Sequence, residues 1–260
     1  MIGVINVINI KRKKTKTYAG YIVYKGKSIL NPEEDIVVIN TYTSKNEKTG
    51  NMIQQWIFVD GQDNPLTVSQ KGNDNSICGN CPHKHSANNT CYVDLSRAPR
   101  SIWDSYKKGN YPIFDAALHG KHFAHRKIRF GAYGDPAAVP YEIQDQLSKL
   151  CLSWTGYTHQ AAHKNFDLRI ANLCMVSVDT PKQAMKYQDE GYRTFRVALE
   201  NDNTLDSEIQ CLNTTEEQLQ CIDCGLCDGL NRSSSSIAVP VHGSRKSSFK
   251  SSLIPTLEVA

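Results

Sequence analysis

A chain of 260 residues is long enough to bury a sizeable core, as one large domain or two small ones. With 40% hydrophobic and 22% charged residues it has the make-up of a globular protein, and no apolar run approaches the eighteen or so residues of a membrane span. A net charge of +4 is too mild to establish nucleic-acid binding by itself.

The N-terminal "MIGVINVINIKRKK" places its charges after its apolar stretch, the reverse of a secretory signal, and alternates like a strand. A cytoplasmic location is therefore expected, and there nine cysteines point to metal rather than disulfides. "YAGYIVYKG", "DIVVINTYTS" and "MIQQWIFVD" come next as β-branched and aromatic runs. Residues 1–70 thus read as an antiparallel meander. Residues 71–126 read as an irregular Cys/His-rich segment that needs something other than a core to hold it.

From 127 onward strands and helices alternate, the mark of parallel βαβ units. "KIRFGAY" is a strand, and "VPYEIQDQLSKLCLSW" a helix with Val139, Ile143, Leu147, Leu150 and Trp154 on one side. "NLCMVSVD" is a buried strand, and "TPKQAMKYQDEG" a helix capped by Thr180 and ended at Gly191. "RTFRVALEN" and "EIQCLN" are strands, "TTEEQLQC" a short helix and "SIAVPVHG" the last strand. The expected fold class is α/β, with a partial or degenerate βα barrel over 127–243 and a disordered tail over 244–260.

Six of the cysteines fall in two clusters. Cys221, Cys224 and Cys227 are spaced C-x2-C-x2-C, and with His242 they make a Cys3His set that suits a closed, structural zinc site. Cys78, Cys81 and Cys91, with His83 or His85 as a fourth ligand, make a second set for which zinc and an iron–sulfur cluster are both open. Cys151, Cys174 and Cys211 lie in apolar contexts and read as small buried hydrophobes.

Acidic residues at strand ends are the candidates for chemistry. Asp135 in "FGAYGDP" follows two glycines, which would let a ligand approach the backbone, although Asp-Pro also starts turns well. Asp179 follows "LCMVSV", and Glu200 follows "FRVAL"; Asp115 and Asp167 are weaker candidates. Three basic segments, "KRKK" at 11–14, "HGKHFAHRKIR" at 119–129 and the tail with Arg245, Lys246 and Lys250, allow a polyanionic partner. Phosphate loops, dinucleotide fingerprints and nucleophile elbows are absent from the sequence.

Cys221, Cys224, Cys227 and His242, the strand-end Asp135 and the βα texture from 127 together resemble the tRNA-guanine transglycosylases, and in particular their phage-borne relatives, the DNA 7-deazaguanine transglycosylases. The likeness covers under half the chain. The first cysteine gap is two residues instead of one, the histidine comes sooner, and no "DSGGFQ"-like segment is present. The resemblance implies base exchange in DNA, a modification associated with evasion of restriction. One aspartate of the pair Asp135 and Asp179 would attack C1′ of a guanosine, and a 7-deazaguanine base would replace the guanine. The target base would have to leave the stack, with Tyr133 or Tyr141 available to stack on it. Two other readings stand beside it: a zinc-stabilised nucleic-acid-binding protein, and an iron–sulfur enzyme using Cys78, Cys81 and Cys91.

Overall fold

The computed structural model describes residues 18–199, 202–241 and 246–249. The expected first strand (residues 2–10), "KRKK", Glu200, His242, Arg245 and Lys250 lie outside the described residues.

Three antiparallel strands open the fold: β1 (Gly20–Lys27), β2 (Asp35–Thr41) and β3 (Ile53–Val59). Nearly every residue of β2 and β3 is buried, as expected of strands covered on both faces. The meander is not a unit of its own. β4 (Lys127–Tyr133) pairs parallel with β3, and β5 (Ser153–Thr155) parallel with β4, giving one mixed five-stranded sheet.

The segment between β3 and β4 is less irregular than its sequence indicates. It holds α1 (Pro65–Gln70), α2 (Asn75–Cys78), α3 (Ala98–Lys107) and the turn α4 (Ala116–His119). α3 buries Trp103 against Phe58 of β3, with ring centroids 5.6 Å apart. Tyr106 of the same helix donates to Asp60 Oδ1 at 2.7 Å. One apolar face built on few large residues leaves a weak periodicity in the sequence.

α5 (Tyr141–Leu150) ends earlier than the apolar spacing implies. Trp154 belongs to β5, because the chain turns at Cys151 and re-enters the sheet. Buried Gln144 of α5 and Gln55 of β3 exchange two side-chain hydrogen bonds, of 2.8 and 3.1 Å. They fix the helix on the sheet with their polar groups satisfied.

After Gly156 the same strand continues as β6 (Tyr157–Thr158), which pairs with β7 (Met175–Val178). β8 (Thr194–Ala198), β10 (Ser236–Pro240) and β9 (Glu208–Gln210) complete a second, wholly parallel sheet in the order β6-β7-β8-β10-β9. The two sheets therefore adjoin through one strand that changes partners at Gly156. The class is α/β, as the sequence indicates. The described residues form two open sheets, with no pairing of β9 back to β1 that would close a barrel.

Alternation sorts the second sheet into two faces. Val176 and Val178 pack on Ala184 of α6 (Pro181–Asp189), whose N-cap is Thr180 as expected. Met175 and Ile237 face the other way, onto Cys227. In place of a helix over "TTEEQLQC" there is a single turn at Leu212–Thr214 and then α7 (Cys221–Cys224), because Asn213 and Leu219 bond across the loop. Within the expected disordered tail, residues 246–249 form a helical turn that buries Phe249. Among the described residues no helix is long and apolar enough to cross a membrane.

Candidate metal centre

The carboxyl ends of three neighbouring parallel strands deliver Asp135 (after β4), His159 (after β6) and Asp179 (after β7) to one region. The Cys-rich loop brings His83 to meet them.

Asp135 is the most constrained of the four. Its Oδ1 accepts from Ala137 N–H at 3.0 Å and from the Thr158 hydroxyl at 2.7 Å, and its Oδ2 from His159 N–H at 2.9 Å. Its own N–H donates to Ile77 O at 2.6 Å. Burial pushes its pKa up, only partly opposed by these three donors. The carboxylate therefore fastens the end of β4 to the end of β6 and caps the turn at Pro136–Ala138. Its glycines serve the same packing. Gly131 and Gly134 have φ of +65° and +78°, and a Cβ on them would come within 2.7 Å of Pro136 Cδ and Ile57 Cβ respectively. They admit the chain's own side chains, not a ligand.

Asp179 is placed differently. Its Oδ1 lies 2.7 Å from His83 Nε2 and 3.6 Å from His159 Nε2. Its main-chain N–H is held by Gln183 Oε1 at 2.9 Å, and Gln183 N–H by the Thr180 hydroxyl, so the first turn of α6 sets its direction. Burial opposes ionisation, but His159 and His83 outweigh it and hold the carboxyl well below the usual carboxylate range. Burial likewise opposes the charged form of His159, yet the Cys81 thiol and Asp179 together raise its pKa well above the ordinary histidine value.

His83, His159 and Asp179 each offer one ligand atom, and these atoms all lie within 4.8 Å of one another. His159 Nε2 is buried and has no hydrogen-bond partner among the described residues. His83 Nδ1 is held by the Thr90 hydroxyl at 2.7 Å, which turns Nε2 toward the cluster. An outer hydrogen bond of this kind is how ligating histidines are oriented. The rings of His83 and His159 meet nearly edge to face, with centroids 5.2 Å apart, and Phe249 stacks on His83 at 5.1 Å.

The Cys-rich loop is anchored through Gln160, which follows the end of β6. Gln160 Nε2 donates to Cys78 O at 2.9 Å, and Asn80 N–H donates to Gln160 Oε1 at 3.0 Å. Cys78 is partly buried against the core. Burial, Asp74, Cys91 and Cys81 all push its thiol upward. Among the described residues no three of Cys78, Cys81 and Cys91 have sulfurs within 4.8 Å of one another. His83, expected as their partner, instead joins His159 and Asp179. His85 bonds Asn89 and Val93 O and stays out of the cluster.

Cys227 packs on Met175 and Ile237 of the second sheet, Cys221 and Cys224 lie on α7, and His242 is outside the described residues. Cys174 packs into the main core as expected, and Cys151 against it. Cys211 packs beside Cys227. Asp115 and Asp167 cap the turns at Ala116–His119 and Leu168–Asn172.

The basic stretch 119–129 is largely committed internally. Arg126 bonds Tyr42 O and Asn51 O, Lys127 bonds Ile222 O, Arg129 bonds the Tyr92 hydroxyl, and His119 lies 4.3 Å from the Tyr21 ring. Tyr133, expected as a stacking residue, is buried against Phe58. Tyr141 carries the Arg169 guanidinium over its ring at 4.5 Å. Two shallow surface hollows, one between Tyr141, Trp154 and Leu230 and one between Lys48, Asn213 and Gln218, border neither Asp135 nor Asp179.

His159 is the site residue that no sequence motif singles out. Its signal is present in "SWTGYTH", a histidine directly after a β-rich run, but the helical spacing that extends to Trp154 masks that run. No protein-family model, no curated protein and no solved structure matches this chain.

Proposed function

We propose that the chain is a metal-dependent enzyme whose centre is a single zinc or iron(II) ion held by His83, His159 and Asp179. The observation that carries this reading is the convergence of three ligand atoms within 4.8 Å, one of them a buried imidazole nitrogen with no hydrogen-bond partner among the described residues. Two nitrogens and one carboxylate oxygen suit either ion, and three protein ligands leave a position open, as in catalytic and unlike closed structural sites. When bound, such an ion polarises a substrate oxygen or lowers the pKa of a water. The chain's own residues do the rest. Thr90 orients His83, Asp135 pins the main chain of His159, Gln183 aims Asp179, and Phe249 covers the outer side of His83.

The test is metal content and affinity in the wild type, His83→Ala and Asp179→Asn. One zinc or iron ion that disappears in both variants supports the reading. Retention of all bound metal by both variants removes it.

Base exchange in DNA, the activity implied by the resemblance, is the second reading. It is favoured by the placing of both expected aspartates against His159. Asp135 has both oxygens engaged, so Asp179 is the better nucleophile. It would form a bond to C1′ as the bond from C1′ to guanine N9 breaks, and the departing guanine would take up a proton. The incoming 7-deazaguanine would then give up a proton, bond C1′ and release Asp179. Structural zinc on Cys221, Cys224 and Cys227 belongs to this reading. The two readings separate on metal-stripped protein. Incorporation of a labelled 7-deazaguanine into DNA should survive stripping of the His83 site under base exchange, whereas the metal-dependent reading expects activity to fall with that ion.

A further inference from the structure

The spacing C-x2-C-x2-C of Cys221, Cys224 and Cys227 supplies three thiols and leaves a fourth to be found. The fold offers Cys211. It follows β9 directly, its N–H donates to Ala238 O of β10, and it packs in the same apolar cluster as Cys227, with Met175 and Ile237 of the second sheet. The intervening loop is closed on itself. Leu219 N–H donates to Leu212 O at 3.1 Å and Asn213 Nδ2 to Leu219 O at 3.3 Å, so Cys211 and Cys221 flank a pinched turn. α7 then puts Cys221 and Cys224 one turn apart, and Gly225, at φ +65°, redirects the chain to Cys227. Burial pushes the thiols of Cys211, Cys221 and Cys227 up, and the neighbouring cysteine sulfurs, Cys224 among them, push the same way.

The surroundings are those of an anionic guest. Arg129 is only 7% exposed, interacts with Cys221, and has a buried Nε with no hydrogen-bond partner among the described residues. Burial pushes the Lys48 pKa down, opposed by the charge of Cys211 and Cys221, and Tyr157 packs against the cluster that holds Cys227. All four donors are thiolates, the soft set that an iron–sulfur cluster takes, and a cubane binds each of them to a different iron. Three thiolates in a C-x2-C-x2-C run and a fourth from elsewhere in the chain is also how bacterial ferredoxin clusters are held.

We propose that Cys211, Cys221, Cys224 and Cys227 hold a [4Fe–4S] cluster beside the parallel sheet, with Cys211, not His242, as the fourth ligand. This site is separate from the His–His–Asp centre and stands whether or not that centre binds an ion.

The experiment measures iron and acid-labile sulfide in the full chain purified without oxygen, as the wild type and as Cys211→Ser, Cys224→Ser and His242→Ala. The expected result is about four sulfides per chain with at least as many irons in the wild type and in His242→Ala, and loss of nearly all sulfide in the two cysteine variants. Sulfide, absent from a mononuclear site, keeps the two metal centres distinguishable. Wild-type protein that carries zinc and no sulfide overturns the proposal without reference to any variant. So does sulfide that persists in Cys211→Ser or is lost in His242→Ala.

Discussion

His83 Nε2 and Asp179 Oδ1 lie 2.7 Å apart, although 96 residues separate them in the chain. One comes from the Cys-rich loop and the other from the tip of a parallel strand. Their meeting ties the segment that lacks a regular sheet of its own to the end of the fold where parallel sheets gather their chemistry. The same oxygen lies 3.6 Å from His159 Nε2, beyond hydrogen-bond reach.

Asp179→Asn keeps the shape of the side chain and removes its charge. Metal affinity should fall by more than about 100-fold, because a ligand is lost where loss of an outer partner alone costs 10–100-fold. Competition titration with a coloured chelator measures it. Unchanged affinity would mean that the carboxylate is not a ligand.

Thr90→Val tests orientation. The Thr90 hydroxyl is 2.7 Å from His83 Nδ1 and both residues are buried. Metal affinity should drop by roughly 10–100-fold while global stability falls by only about 1 kcal/mol. Thr90→Ser, which restores the hydroxyl, should recover most of the affinity. A structural role alone would move stability and leave affinity untouched.

The strands and the capped helix over 181–189 are legible because they depend on local pattern: β-branched runs, a Thr-Pro start, a glycine stop. The site is half legible. Asp135 and Asp179 can be placed at strand ends, but their tasks cannot. Whether a strand-end aspartate is free depends on donors from elsewhere, here the Thr158 hydroxyl and the His159 N–H. His159 is hidden by the brevity of β5 and β6, three and two residues joined at Gly156. Cys211 looks apolar because its neighbours Ile209 and Leu212 are. Its approach to Cys227 depends on β9 pairing with β10, a contact that no local window contains.

Asp135→Asn separates fastening from catalysis. Every donor it meets points at a carboxylate oxygen, so an amide places N–H against N–H or O–H. Unfolding by denaturant should show a loss of about 2–4 kcal/mol. Full stability combined with lost incorporation of a deazaguanine base would instead mark Asp135 as the nucleophile.

Arg196 and Glu208 form an ion pair in which both side chains are 0% exposed, with a closest approach of 2.7 Å. It crosses β10 from β8 to β9, holding the edge strand that ends at Cys211. Glu208→Gln should destabilise the fold by about 3–5 kcal/mol by leaving a buried charge inadequately paired. It should also weaken retention of the sulfide-containing cluster. A loss below about 1 kcal/mol in a denaturation curve would contradict this assignment.

The most direct measurement of the central claim is anomalous diffraction from crystals of the metal-replete chain, recorded at the zinc and iron absorption edges. A peak about 2.0–2.2 Å from a ring nitrogen of His83, a ring nitrogen of His159 and a carboxylate oxygen of Asp179 is the expected result. A structure in which His83 and Asp179 remain directly hydrogen-bonded, with no anomalous scatterer between them and the bound metal elsewhere, would contradict it.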